Sequence, residues 1–199
     1  MKKCLFFMVL TLVTFFSKAQ ESNKSWMYSV GAGPAIEGNQ GMWGLNITNE
    51  LGYYFTERVS INPSLSYFQT LTPFESGFGI NMLPQENYMS GLFTNAKIRF
   101  DLLRTSKDFR IGLSAGPSFQ LGGSSYHRGY TTDGQGPEIL VSLGYEVEKH
   151  ARLGYVTEVT FDWRNAKPNR RSSASISMSS FSGYWPYFLM ACYKFGFQL

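Results

Sequence analysis

The sequence predicts an all-β protein: an eight-stranded, antiparallel, up-and-down transmembrane β-barrel with short periplasmic turns and longer extracellular loops. Three observations predict it. Apolar and polar residues alternate in eight successive segments, the two-residue period with which a strand sends side chains to opposite faces. The connections between segments sort into tight and long ones. Aromatic residues gather near the ends of the apolar faces, where the edges of a membrane would lie.

The stretch 152–164 shows the alternation most plainly. Leu153, Tyr155, Thr157, Val159, Phe161 and Trp163 share one face, and Arg152, Gly154, Val156, Glu158, Thr160, Asp162 and Arg164 share the other. A soluble sheet would turn the first face to a core, whereas an outer-membrane barrel would turn it to lipid and the charged face to a narrow lumen. The remaining apolar faces run from Trp26 to Ile36, Trp43 to Phe55, Val59 to Tyr67, Leu92 to Leu102, Phe109 to Leu121, Ile139 to Val147 and Trp185 to Leu199. With 152–164 as the seventh, these make an even number of strands.

Tight turns are expected near 56–58, 104–108 and 148–151, and longer polar loops at 37–41, 71–87, 122–136 and 166–183. Turns on one side and loops on the other are what an outer-membrane barrel shows. The interface aromatics are Trp43, Trp163 and Trp185 at the long-loop end and Trp26 at the other.

The polar face carries Glu50, Lys97, Arg99, Asp101, Arg110, Glu138, Glu146, Glu148, Arg152, Glu158, Asp162, Arg164 and Lys194, seven acids against six bases. An eight-stranded barrel is just wide enough for side chains to fill. A charge buried there without a partner costs several kcal/mol. The near balance therefore predicts a lumen plugged by ion pairs, with a mid-barrel cluster of Glu50, Lys97, Arg99, Glu158 and Lys194.

At the start, Lys2 and Lys3 precede the apolar run "LFFMVLTLVTFF" and then "SKAQ". That pattern reads as a secretory signal peptide over residues 1–19, too short for a membrane helix, with the barrel domain over 20–199. Removing Lys2, Lys3 and Lys18 from 18 basic residues leaves 15 against 14 acids, so the basic pI does not point to nucleic acid. Only Cys192 then remains, and no intramolecular disulfide can form.

With these features the chain resembles the small eight-stranded outer-membrane barrels typified by the OmpX and OmpA transmembrane-domain families. It looks most like the Bacteroidota group of outer-membrane beta-barrel, or porin-family, proteins. The resemblance covers roughly 25–199 and rests on the "SKAQ" ending, the strand pattern and the tail "ACYKFGFQL", in which Tyr193, Phe195, Phe197 and Leu199 alternate to the last residue. It implies residence in the outer membrane of a Gram-negative bacterium, export through the Sec pathway, contact with outer-membrane lipid and lipopolysaccharide, and a tail read by the barrel-assembly machinery.

Motifs for chemistry are sparse. His127 lies in "SSYHRGY" beside Ser124 and Ser125, and would be the base of a lipid A-modifying enzyme, the second alternative reading; a solvated loop histidine is the plainer one. His150 falls in the expected turn at 148–151. Arg164, Lys167, Arg170 and Arg171 in the expected fourth loop could clamp lipopolysaccharide phosphate, since guanidinium binds phosphate bidentately. Two separated histidines and one cysteine make no metal-ligand cluster, and no cofactor motif is present. The reading is thus a non-catalytic barrel with a plugged lumen that acts through its extracellular loops on an unknown surface or protein partner. A narrow channel for small solutes or ions is the first alternative.

Overall fold

The computed structural model describes residues 26–38, 41–71, 87–105, 109–127, 130–132, 140–142, 145–165, 169–181 and 184–199. Ten strands form: β1 (Trp26–Glu37), β2 (Met42–Tyr54), β3 (Val59–Thr70), β4 (Asn87–Arg104), β5 (Arg110–His127), β6 (Tyr130–Thr132), β7 (Leu140–Ser142), β8 (Tyr145–Arg164), β9 (Arg170–Phe181) and β10 (Tyr184–Gln198). Eight of them close an antiparallel barrel in the order β1-β10-β9-β8-β5-β4-β3-β2, while β6 and β7 form a separate two-stranded ribbon.

The barrel is the expected one, but its strands are not all the expected strands. The polar stretch at 148–151 is no turn. Residues 145–164 form one continuous strand, paired with β5 from His127↔Tyr145 to Arg110↔Asp162. Conversely, the expected fourth loop contains β9, paired on both sides from Gly154↔Phe181 to Arg164↔Arg171 and from Phe188↔Ser179 to Phe197↔Arg170. Ser173, Ser175, Ser177 and Ser179 take the luminal parity and Ser172, Ala174, Ile176, Met178 and Ser180 the outward one, a weak hydrophobic contrast that reads as a loop. Val141, expected on the apolar exterior, belongs to β7 outside the barrel.

This new connectivity fixes the two ends. One end, the turn end, carries the connections 55–58, 105–109 and 165–169 together with Trp26 and Gln198. The other, the loop end, carries 38–41, 71–86, 128–144 and 182–183, so two of its four links are long. Gly41 takes φ 69° in the short link at 38–41, a conformation glycine adopts at little cost. At 55–58 the backbone N–H of Val59 donates to Thr56 Oγ1 at 3.0 Å and Phe55 N–H donates to the Val59 carbonyl at 3.0 Å, which closes the turn.

The apolar rows face outward as expected. Leu153 is 75 % exposed and Ile98 64 %, while the polar partners Glu158, Lys97 and Lys194 are buried. The lumen also holds apolar side chains the polar pattern does not announce: Phe68, Met89, Phe93, Phe181, Tyr187, Phe188 and Met190 pack into one cluster toward the loop end. Their rings meet edge to face, with Phe93 and Phe188 centroids 4.9 Å apart and Phe68 and Phe188 5.3 Å apart, an arrangement aromatic quadrupoles favour.

Candidate functional site: a closed lumen

The middle of the lumen is crossed by four charges from four strands. Glu50 comes from β2, Lys97 from β4, Glu158 from β8 and Lys194 from β10. Lys97 Nζ lies 2.6 Å from Glu50 Oε2 and also binds Glu158 Oε2. Lys194 Nζ lies 3.0 Å from Glu50 Oε2 and 2.5 Å from Glu158 Oε1. Signs alternate around the barrel axis and every neighbouring pair is bonded, so the four groups form a closed square. Asn62 Nδ2 donates to the remaining Glu50 oxygen at 2.9 Å. Each glutamate is thereby neutralised twice, which offsets the cost of burying it.

The alternating parity puts these side chains inward, and glycine makes space for one of them. A Cβ on Gly31 would stand 2.7 Å from Lys194 Cγ. Gly112 does the same for Arg99, whose Nε would lie 2.3 Å from a Cβ there.

Arg99, expected in the same cluster, stands one layer nearer the turn end. Its Nε bonds Asp101 Oδ1 at 2.7 Å and its Nη2 bonds Asp162, while Arg110 Nη1 approaches Asp101 Oδ2 at 3.5 Å. The two layers together set four carboxylates against four cations. Of the other polar-face charges, Glu146 and Glu148 are exposed, on a stretch where β8 continues past the end of β9 and pairs with β5 alone among the described residues, and Glu138 lies outside the described residues.

Above the square, Asn46, Thr48, Ser66, Ser175, Ser177 and Ser179 surround a void of about 20 Å³, room for about one water molecule. Phe93 and Met190 roof it. Asn46 Oδ1 and Asn95 Oδ1 are buried there without a protein partner. Sequence reasoning missed the aromatic roof, although Phe93 shares the parity of Lys97 and Phe188 that of Lys194.

At the loop-end mouth His150 lies inside β8 and is buried, with Nε2 2.7 Å from Ser124 Oγ. Its Nδ1 is 2.8 Å from Arg152 Nη2, and Arg152 Nη1 donates to Tyr187 Oη at 2.5 Å. Arginine can only donate. Nδ1 must therefore accept, Nε2 carries the proton, and the hydrogen bond runs from the imidazole to Ser124. In that direction His150 does not serve as a base for Ser124. The His127 side chain lies outside the described residues.

The expected phosphate clamp moves. Arg164, Arg170 and Arg171 lie at the turn end, opposite the loops where the sequence reading puts lipopolysaccharide, since 170–181 is a barrel strand; Lys167 lies outside the described residues. Trp163 moves with them to the turn end, beside Trp26's end of the barrel, and Trp43 stands exposed at the loop end. Trp185 belongs to the loop-end start of β10, its side chain outside the described set. Tyr193, Phe195, Phe197 and Leu199 line the exterior of the last strand.

No protein-family model matches the chain, and no curated protein matches it. Among solved structures, the N-terminal β-barrel domain of Pseudomonas aeruginosa OprF is similar at a TM-score of 0.52 and 12% identity, over 89% of this chain and 100% of that one. Neisserial surface protein A is similar at a TM-score of 0.50 and 12% identity, over 89% and 97%. At such identity the likeness is one of fold. The chain has the closed, eight-stranded antiparallel fold of the small outer-membrane β-barrels.

Proposed function

We propose that this chain is a non-catalytic outer-membrane barrel protein with a closed lumen, which acts as a structural or surface-interaction protein through its loop end. Export by a Sec signal peptide over residues 1–19 and a Bacteroidota-like Gram-negative source belong to this reading, on the resemblance given above. The observation that carries it is the pairing of a blocked lumen with a protruding ribbon. The charge square and the aromatic cluster fill the interior. Meanwhile β8 begins at Tyr145 but pairs with β9 only from Gly154, so residues 145–153 are laddered to β5 alone among the described residues. A strand edge of that kind offers backbone groups to a partner strand.

Two further features support it. The exterior apolar belt with aromatics at both ends suits a bilayer. The direction of the His150–Ser124 hydrogen bond disfavours hydrolysis at that pair. Surface labelling tests the reading: a short epitope inserted at 133–139 should be labelled on intact cells, and one inserted at 166–168 only after permeabilisation. The reverse pattern, or no labelling at either site in folded protein, would remove the surface role. Co-purification from native membranes would then identify the partner.

A further inference from the structure

Two unlike sets of polar groups surround the void above the charge square, one short of donors and the other short of acceptors. The first set consists of oxygens. Asn46 Oδ1 and Asn95 Oδ1 are buried without a hydrogen-bond partner among the described residues, and both residues line the void. The Asn95 amide is oriented by its nitrogen, which donates to Ser64 Oγ at 3.1 Å, so its oxygen is the end left over. A buried acceptor left unpaired is costly, and native interiors satisfy such atoms with protein groups or with ordered water.

The second set consists of protons. An ammonium has three to donate. Lys97 Nζ spends two on Glu50 and Glu158, and Lys194 Nζ spends two on the same pair. Each lysine therefore keeps one proton beyond the square, and both lysines line the void from below.

These groups select their occupant. The two glutamates and two lysines cancel, so the square has no net charge with which to hold an ion. An anion would meet the two amide oxygens, and a cation would meet the two ammoniums. A void of about 20 Å³ admits one water molecule, and the cavities that stay dry in proteins are apolar. A molecule with two protons to give and two lone pairs to receive matches all four groups.

We propose that the void binds one structural water, which donates to Asn46 Oδ1 and Asn95 Oδ1 and accepts from Lys97 and Lys194. The water ties together β2, β4 and β10, no two of which are neighbours in the barrel, and braces the square from the loop side. The aromatic roof and the ion pairs separate it from the two mouths, so its exchange with bulk requires the lumen to open. The inference rests on the closed-lumen reading and deepens it.

A crystal structure of the full mature chain, at a resolution that shows ordered water, tests the site. One isolated peak should lie about 3 Å from each amide oxygen, and crystals soaked in sodium bromide or in rubidium chloride should give no anomalous signal there. A bromide or rubidium peak in the void would overturn the water in favour of an ion, and a void without density would overturn it outright; both results would leave the lumen closed. A file of waters running past the square would overturn the closed lumen and the isolated site together. Asn46→Leu should remove the peak while Lys97 and Lys194 keep their contacts with Glu50 and Glu158, and an unmoved peak in that variant would overturn the bridge. Should Asn46→Leu fail to fold, the peak and the two soaks in the unaltered chain decide the site by themselves.

Discussion

Glu50 and Glu158 stand on β2 and β8, opposite one another around the barrel, and share both lysines: Lys194 lies 3.0 Å from one and 2.5 Å from the other. Neither glutamate can lose its partner without exposing both lysines to an unbalanced site. Glu158→Ala should therefore destabilise the barrel by about 3–5 kcal/mol, read by urea unfolding in lipid vesicles. Replacing all four charges at once, with Glu50→Gln, Glu158→Gln, Lys97→Met and Lys194→Met, should recover most of that loss, because no uncompensated charge remains. A Glu158→Ala protein as stable as the parent would show that the square contributes little.

Leu113 is an outward residue of β5 and is 47 % exposed. If the belt faces hydrocarbon, Leu113→Arg should cost about 2–4 kcal/mol in the same folding assay. A fold of unchanged stability would place that strand outside the bilayer.

The last strand closes the barrel against the first, from Met27↔Gln198 inward, and supplies Lys194 to the square. Deleting residues 193–199 removes both. The truncated chain should lose heat-modifiable migration on a gel and accumulate in the periplasm or be degraded; normal migration would contradict the role of the tail.

The hydrogen-bond direction at His150 predicts an unreactive Ser124. Lipid A from cells expressing the protein, or its Ser124→Ala or His150→Ala variants, should have the same mass spectrum as lipid A from cells without it. A shift of lipid A mass with the parent protein, absent with the variants, would establish an enzyme.

The period-two alternation made the barrel and most of its inward charges legible, because a strand with one polar and one apolar face must show it; the expected count of eight matched only because splitting β8 offset the missing β9. What it hid has particular causes. Apolar parity carries from Val147 through Ala151 and Leu153 to Trp163 with Lys149 and Thr157 as its interruptions, so the polar cluster Glu148–Lys149–His150 looks like a turn when composition is weighed above parity. In β9 serines oppose alanine, isoleucine and methionine, and the small contrast carries little signal. The lumen aromatics were masked because an apolar residue on the polar face, such as Phe93 or Phe188, contributes nothing to the amphipathic pattern. Register decides which inward charges meet, and no local feature of the sequence encodes it; Arg99 thus joins Asp101 and Asp162 rather than the square.

The account stands or falls on the closed lumen. Purified protein in planar bilayers should show no unitary conductance at neutral pH, and combining Phe93→Ala, Phe188→Ala and Glu158→Ala should open discrete steps by removing the aromatic roof and breaking the square beneath it. Steady single-channel conductance from the unaltered protein would contradict the account and make the barrel a channel.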